Sequence, residues 1–270
     1  MSPKANTAID TKLLTAEMIR DYAICPLYYR FKYEDERYEE MDITALMSER
    51  YINTFRKALS FFFYKKQNGT VPSYTALLNR WEKMWFPKDI TAYDLAIQQN
   101  TANNSLSSYS VAATLTMKVF HDDFKNDQGI PVAIMEPFLA PIRHDIRLQG
   151  QSDLILKYPN GGYRVIQWMM EKKPNQKAYY PLDLAAQKVG FEHRLSPKLN
   201  VEYQVYDLHH ETRSFADIDQ PTYVEVNQLK YWAGQIADSD DRYPRRGFTR
   251  YCRGCPFDEE CLGFKDWPQT

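Results

Sequence analysis

Long hydrophobic runs are missing from these 270 residues. No stretch approaches the ~18 consecutive apolar residues that a membrane-spanning helix needs; Ala58 to Tyr64 is among the densest. No membrane partner is expected. Residues 1–12 are polar, unlike a secretory leader, so a cytoplasmic chain in a reducing compartment is expected. A charge excess is missing as well: 34 Lys and Arg against 35 Asp and Glu leave a formal net charge of −1. Any nucleic-acid footprint must therefore be local. Glycine is scarce, and the spacings of a phosphate-binding loop, a dinucleotide fingerprint or a Ser/His/Asp triad are absent. There is no internal repeat and no low-complexity segment.

Cysteine is rare too, yet all four fall into one pattern. Cys25 lies in Ile24-Cys25-Pro26-Leu27-Tyr28-Tyr29, and the other three form Cys252-x2-Cys255-x5-Cys261 far along the chain. Four thiolates divided in this way can close one site that staples the two ends together. Soft sulfur ligands in fours suit an iron–sulfur cluster or zinc. Disulfides are the remaining alternative, which the polar start disfavours.

Periodicity divides the rest. Residues 12–33 read as a helix ending near Cys25-Pro26, because the residue before proline is pushed out of helical geometry. Residues 42–128 read as a helical insertion. Ile43, Leu46, Ile52, Phe55, Leu59 and Phe62 recur at helical spacing, as do Tyr74, Leu78, Trp81 and Trp85, and then Val111, Leu115 and Val119. An α/β core over 129–237 follows. Strands are expected at Val132 to Ile142, Ile146 to Tyr158 and Tyr163 to Met170, with Pro159-Asn160-Gly161-Gly162 as a turn. A helix near Leu182–Phe191, a strand at Val201–Leu208 and a helix at Thr222–Ala237 complete it, and 238–270 form a cysteine-rich tail. The order predicts one α/β domain with a helical insertion.

The first strand carries Glu136, the second Gly150-Gln151-Ser152-Asp153, and the third Val165-Ile166-Gln167-Trp168-Met169. Carboxylates on neighbouring strands suit a hard cation such as Mg²⁺ or Mn²⁺. Together with the Cys-Pro-x-x-Tyr/Phe-Arg entry and the Cys-x2-Cys-x5-Cys exit, the chain resembles the RecB-like branch of the PD-(D/E)xK nucleases. The iron–sulfur members of that branch include the AddB C-terminal nuclease domain and nucleases of CRISPR adaptation. The resemblance implies a restriction-endonuclease-like core, a central mixed sheet flanked by helices. It also implies a 4Fe-4S cluster on Cys25, Cys252, Cys255 and Cys261, with zinc as the alternative, and DNA as substrate. Glu136 and Asp153 match two acidic metal ligands.

The match then departs from the family. The third strand should supply Asp-x-Lys, and here those positions are Gln167 and Met169. The histidine expected on the first long helix of the insertion is absent, with Arg56 nearest to its place. Leu184 to Phe191 does not reproduce Gln-x-x-x-Tyr cleanly. Glutamine offers only a neutral carbonyl to a hard dication, and methionine cannot support an attacking water at all. A literal Glu-x-Lys occurs downstream at Glu171-Lys172-Lys173. Alternation puts it on the same face, but ~13 Å further along an extended strand, and Pro174 follows it. Met169 and Gln167 therefore mark a decayed site, and Glu171 with Lys173 a possible rescue.

A further stretch, Arg242 to Arg253, interleaves Arg242, Arg245, Arg246, Arg250 and Arg253 with Tyr243, Phe248 and Tyr251. Arginine on phosphate beside a stackable ring is how single strands are often held, so a DNA contact is expected there. His144 and His209-His210 read as strand-end residues. The expected function is an iron–sulfur, nuclease-like, catalytically impaired DNA-binding protein of replication, recombination or defence. A helicase, recombination or CRISPR-type protein is a candidate partner. The alternatives are an active Mg²⁺- or Mn²⁺-dependent exonuclease built on Glu136, Asp153, Glu171 and Lys173, and a protein scaffold without DNA contact.

Overall fold

A computed structural model of the chain describes residues 11–36, 43–85, 105–169, 180–207 and 221–239, and in the tail 243–244, 252, 255–257 and 260–261. Its centre is a long antiparallel hairpin, β2 (Ile130–Arg143) and β3 (Ile146–Lys157). β2 holds Pro131, Pro137 and Pro141, and β3 is its one strand partner among the described residues. Proline cannot donate to a ladder, so it belongs on such an edge. The turn after β3 is closed by Gly161 at φ +83° and by the Gly162 N–H donating to Asn160 Oδ1 at 2.9 Å. β4 (Tyr163–Met169) then pairs antiparallel with the far end of β3. β5 (Val201–Asp207) lies parallel to β4, and β1 (Lys12–Leu14) lies parallel to the start of β3. The result is a mixed α/β sheet.

Helices cover both faces. On one side lie α3 (Ile43–Gln67), α4 (Tyr74–Trp85) and α5 (Ser105–Phe124). Their Phe55, Leu59, Phe62, Trp81 and Phe120 pack against Leu154, Ile166 and Trp168 of the sheet. On the other side lie α1 (Ala16–Ile24), α6 (Tyr180–Arg194) and α7 (Tyr223–Ala237), over Ala140, Ile146 and Leu148. Leu184 and Phe191 of α6 meet Ile155, Val165 and Val205 of the same face. Thr222 caps α7, with Glu225 completing a capping box.

Two sequence expectations change. Residues 12–33 are not one helix: Lys12–Leu14 joins the sheet, and Cys25 is extended at φ −155°, ψ 110°. The helix resumes as α2 (Pro26–Tyr29) and a π-helical turn over Arg30–Glu34, because proline is well suited to a first helical position. On α5, Val111 and Leu115 are exposed, while Ala113, Met117, Phe120 and Phe124 are buried. The two phenylalanines bury more apolar surface than the aliphatic set and fix the face that turns inward. No helix among the described residues is long and apolar enough to cross a membrane.

Candidate functional site

The inner edge of β3 is shared between two strands. β1 pairs with Ile146–Leu148 and β4 with Leu154–Lys157, both on the edge opposite β2. Between them, from Gln149 to Asp153, no strand partner is present among the described residues. Side chains fill that interval. Gln187 of α6 donates its amide to the Gln151 carbonyl at 2.8 Å. The Trp168 N–H donates to Asp153 Oδ2 at 2.9 Å, so a carboxylate does what a ladder carbonyl would do. The β3–β4 ladder splits at this point.

Asp153 is 3% exposed. Its Oδ1 lies 3.4 Å from Nε of Arg56, which reaches down from α3. The same guanidinium lies 3.5 Å from the Trp168 carbonyl. Burial pushes the Asp153 carboxyl above its ordinary value, and Arg56, the Trp168 N–H and Gln151 oppose that rise. Gln167 follows on β4, and its Oε1 is buried without a hydrogen-bond partner, as is Oε1 of Gln187. Met169 sits on β4 with its backbone in register with Asp207. Glu171 and Lys173 lie outside the described residues.

Glu136 does not join Asp153. It stands opposite Ser152 in the ladder, and successive residues of a strand point to opposite faces. Its carboxylate meets Arg194 at the end of α6, at 2.6 Å, whereas Asp153 turns toward α3. The strand is irregular here: Met135, between Ile134 and Glu136, has φ +52°. That left-handed residue re-aims the side chains on either side of it.

No family model matches the chain, and no curated protein matches it.

The cysteines gather elsewhere. Cys25, Cys255 and Cys261 pack against a small apolar cluster of Leu27, Phe31 and Phe257. All four cysteines are half-buried. Burial pushes the Cys255 thiol up, the Phe257 backbone opposes this, and Cys25, Cys252 and Cys261 add to the rise. The four thiols are therefore electrostatic neighbours. Among the described residues, however, no group of three or more His, Cys, Asp or Glu is arranged to hold a metal ion. The donor set has the right chemistry for a thiolate-bound centre, and the thiols are close without forming a ligand shell. Arg242, Arg245, Arg246, Arg250 and Arg253 lie outside the described residues.

Sequence reasoning missed Gln187. It is a buried polar side chain among the buried Asp183, Leu184, Ala185, Ala186 and Val189 of α6. A lone amide between Ala186 and Val189 was the available signal. Phe191 follows it by four residues, a Gln-x-x-x-aromatic step without the hydroxyl.

Proposed function

We propose that this chain is an iron–sulfur protein with a RecB-like PD-(D/E)xK nuclease core that binds DNA or a nucleic-acid-processing partner and has lost its cleavage activity. The observation that carries the reading is the Arg56–Asp153 pair. A working metal site leaves carboxylate oxygens open to a hard dication. Here one Asp153 oxygen faces a resident guanidinium and the other holds a backbone N–H. Arg56 supplies the positive charge that a metal would supply. A guanidinium is not a Lewis acid, so unlike a metal it does not acidify a water for attack. Gln167 offers no charge to compete with it, and Glu136 is bound to Arg194.

Cys25, Cys252, Cys255 and Cys261 would hold the cluster. When bound, it would crosslink the first and last segments of the chain. Neutral thiols must lose their protons to bind, so loading is favoured as pH rises.

The test is a nuclease assay on anaerobically purified protein, with end-labelled single- and double-stranded DNA and Mg²⁺ or Mn²⁺. Wild type, Asp153→Ala and Arg56→Gln are compared. The expected result is no cleavage by wild type above the Asp153→Ala background. Cleavage that disappears with Asp153→Ala overturns the impaired reading. Iron and sulfide at about four each per chain are expected for the cluster; stoichiometric zinc without sulfide overturns it.

A further inference from the structure

Among the described residues, half of the β2–β3 hairpin is covered on one face only. Three cross-strand pairs stand in a row: Pro137 with Gln151, Leu139 with Gln149, and Pro141 with Arg147. Directly opposed residues share a face, and all six of these are exposed. The alternate residues Phe138, Ala140, Ile146 and Leu148 pack beneath, against the α1, α6 and α7 layer. The helices of the other layer meet this hairpin further along, at Ile134, Leu154 and Leu156. A bare ribbon two strands wide remains, about 14 Å long at ~3.4 Å per residue.

Its chemistry is selective. The six residues include one guanidinium, two primary amides and no carboxylate. Leu139 and the two pyrrolidine rings give a flat apolar floor. The row runs into the candidate site, since Gln151 Nε2 lies 3.5 Å from Asp153 Oδ1. Pro137 and Pro141 lack the N–H that a peptide adding a strand to this edge would need. A single-stranded nucleic acid needs no such edge. Its phosphates can meet Arg147, its bases can lie on the apolar floor, and base edges can exchange hydrogen bonds with the two amides.

We propose that this bare ribbon is a platform for single-stranded nucleic acid, running past Arg147, Gln149 and Gln151 toward Asp153. It rests on the DNA-binding reading above and assigns a surface to it.

The test is fluorescence anisotropy of a labelled oligothymidylate against the full-length protein across a salt series. The variants are Arg147→Glu/Gln149→Glu and Leu139→Ser, with thermal melts as a folding control. The charge variant is expected to bind at least about tenfold more weakly. Arg147→Ala should lower the slope of log affinity against log salt by about one. Should the double glutamate melt early, Arg147→Ala/Gln149→Ala takes its place, with a smaller loss expected. Unchanged binding by the folded variants overturns the platform and leaves the DNA reading standing. Binding of duplex alone also overturns the platform. If wild type binds no nucleic acid, the platform and the DNA reading fall together.

Discussion

The Asp153 carboxylate serves two partners at once, and each substitution there separates them. Asp153→Ala leaves both the Trp168 N–H and the Arg56 guanidinium unmatched, with Asp153 itself only 3% exposed. A loss of about 2–3 kcal/mol in urea unfolding is expected, moderated by the partial exposure of Arg56. Asp153→Asn retains an acceptor for the N–H and should lose less; equal losses would mean that the N–H bond contributes little. A second buried carboxylate, Asp183, meets Arg20 at 3.2 Å. Burial pushes it up to about 6, against the pull of Arg20. A carboxyl that binds its proton more tightly when folded stabilises the fold while protonated. That contribution is lost as pH rises from the ordinary value near 4 through about 6. The stability of wild type minus that of Asp183→Asn should therefore fall between those values, by up to about 3 kcal/mol, and stay level above them. A flat difference would disprove the shift. Asp153 was legible in the sequence because it closes the Gly150-Gln151-Ser152-Asp153 step on a strand that alternation predicts. That Glu136 would face away was not legible, since one left-handed residue, Met135, changes the local aim of the strand.

At the scale of elements, one ring sets how closely α6 approaches the hairpin. A methyl group added at Gly190 would lie 2.8 Å from Phe138, and one at Gly150 would meet the same ring more closely still. Phe138 thus fills a slot between helix and strand that only two glycines leave open. Gly150→Ala is expected to cost about 1–3 kcal/mol, and Phe138→Leu in the same chain should recover part of it. Additive losses in this double-mutant cycle would show that the ring is not the obstruction. The hairpin, the turn at Gly161 and the capped α7 could be read from alternation, turn chemistry and the Thr222–Glu225 spacing. α5 could be read as a helix but not its buried face, because its aliphatic and aromatic positions define two competing stripes, and packing decided between them. β1 was hidden for a different reason: three residues are too few to show a period.

Across the whole molecule, the first and last described segments share one small core, where Phe31 near the start meets Phe257 of the tail at 5.4 Å. If the thiols around it bind a metal centre, Cys25→Ser should loosen both segments together. Hydrogen exchange should then rise in α1, α2 and the described part of the tail while the β2–β3 hairpin stays protected. Loosening of one segment alone would mean that the cysteines do not act as a unit. The pairing of β1 with β3 adds a constraint of another kind. Lys12 to Leu14 can find their places only after Ile146 to Leu148 exist, and Cys25 can meet Cys252 only once the long stretch between them has been made. At ~5–20 residues per second, the first thiol stays exposed on the nascent chain for roughly 10–45 s before its partners emerge. During that interval the fold offers this thiol none of the tail cysteines as a neighbour.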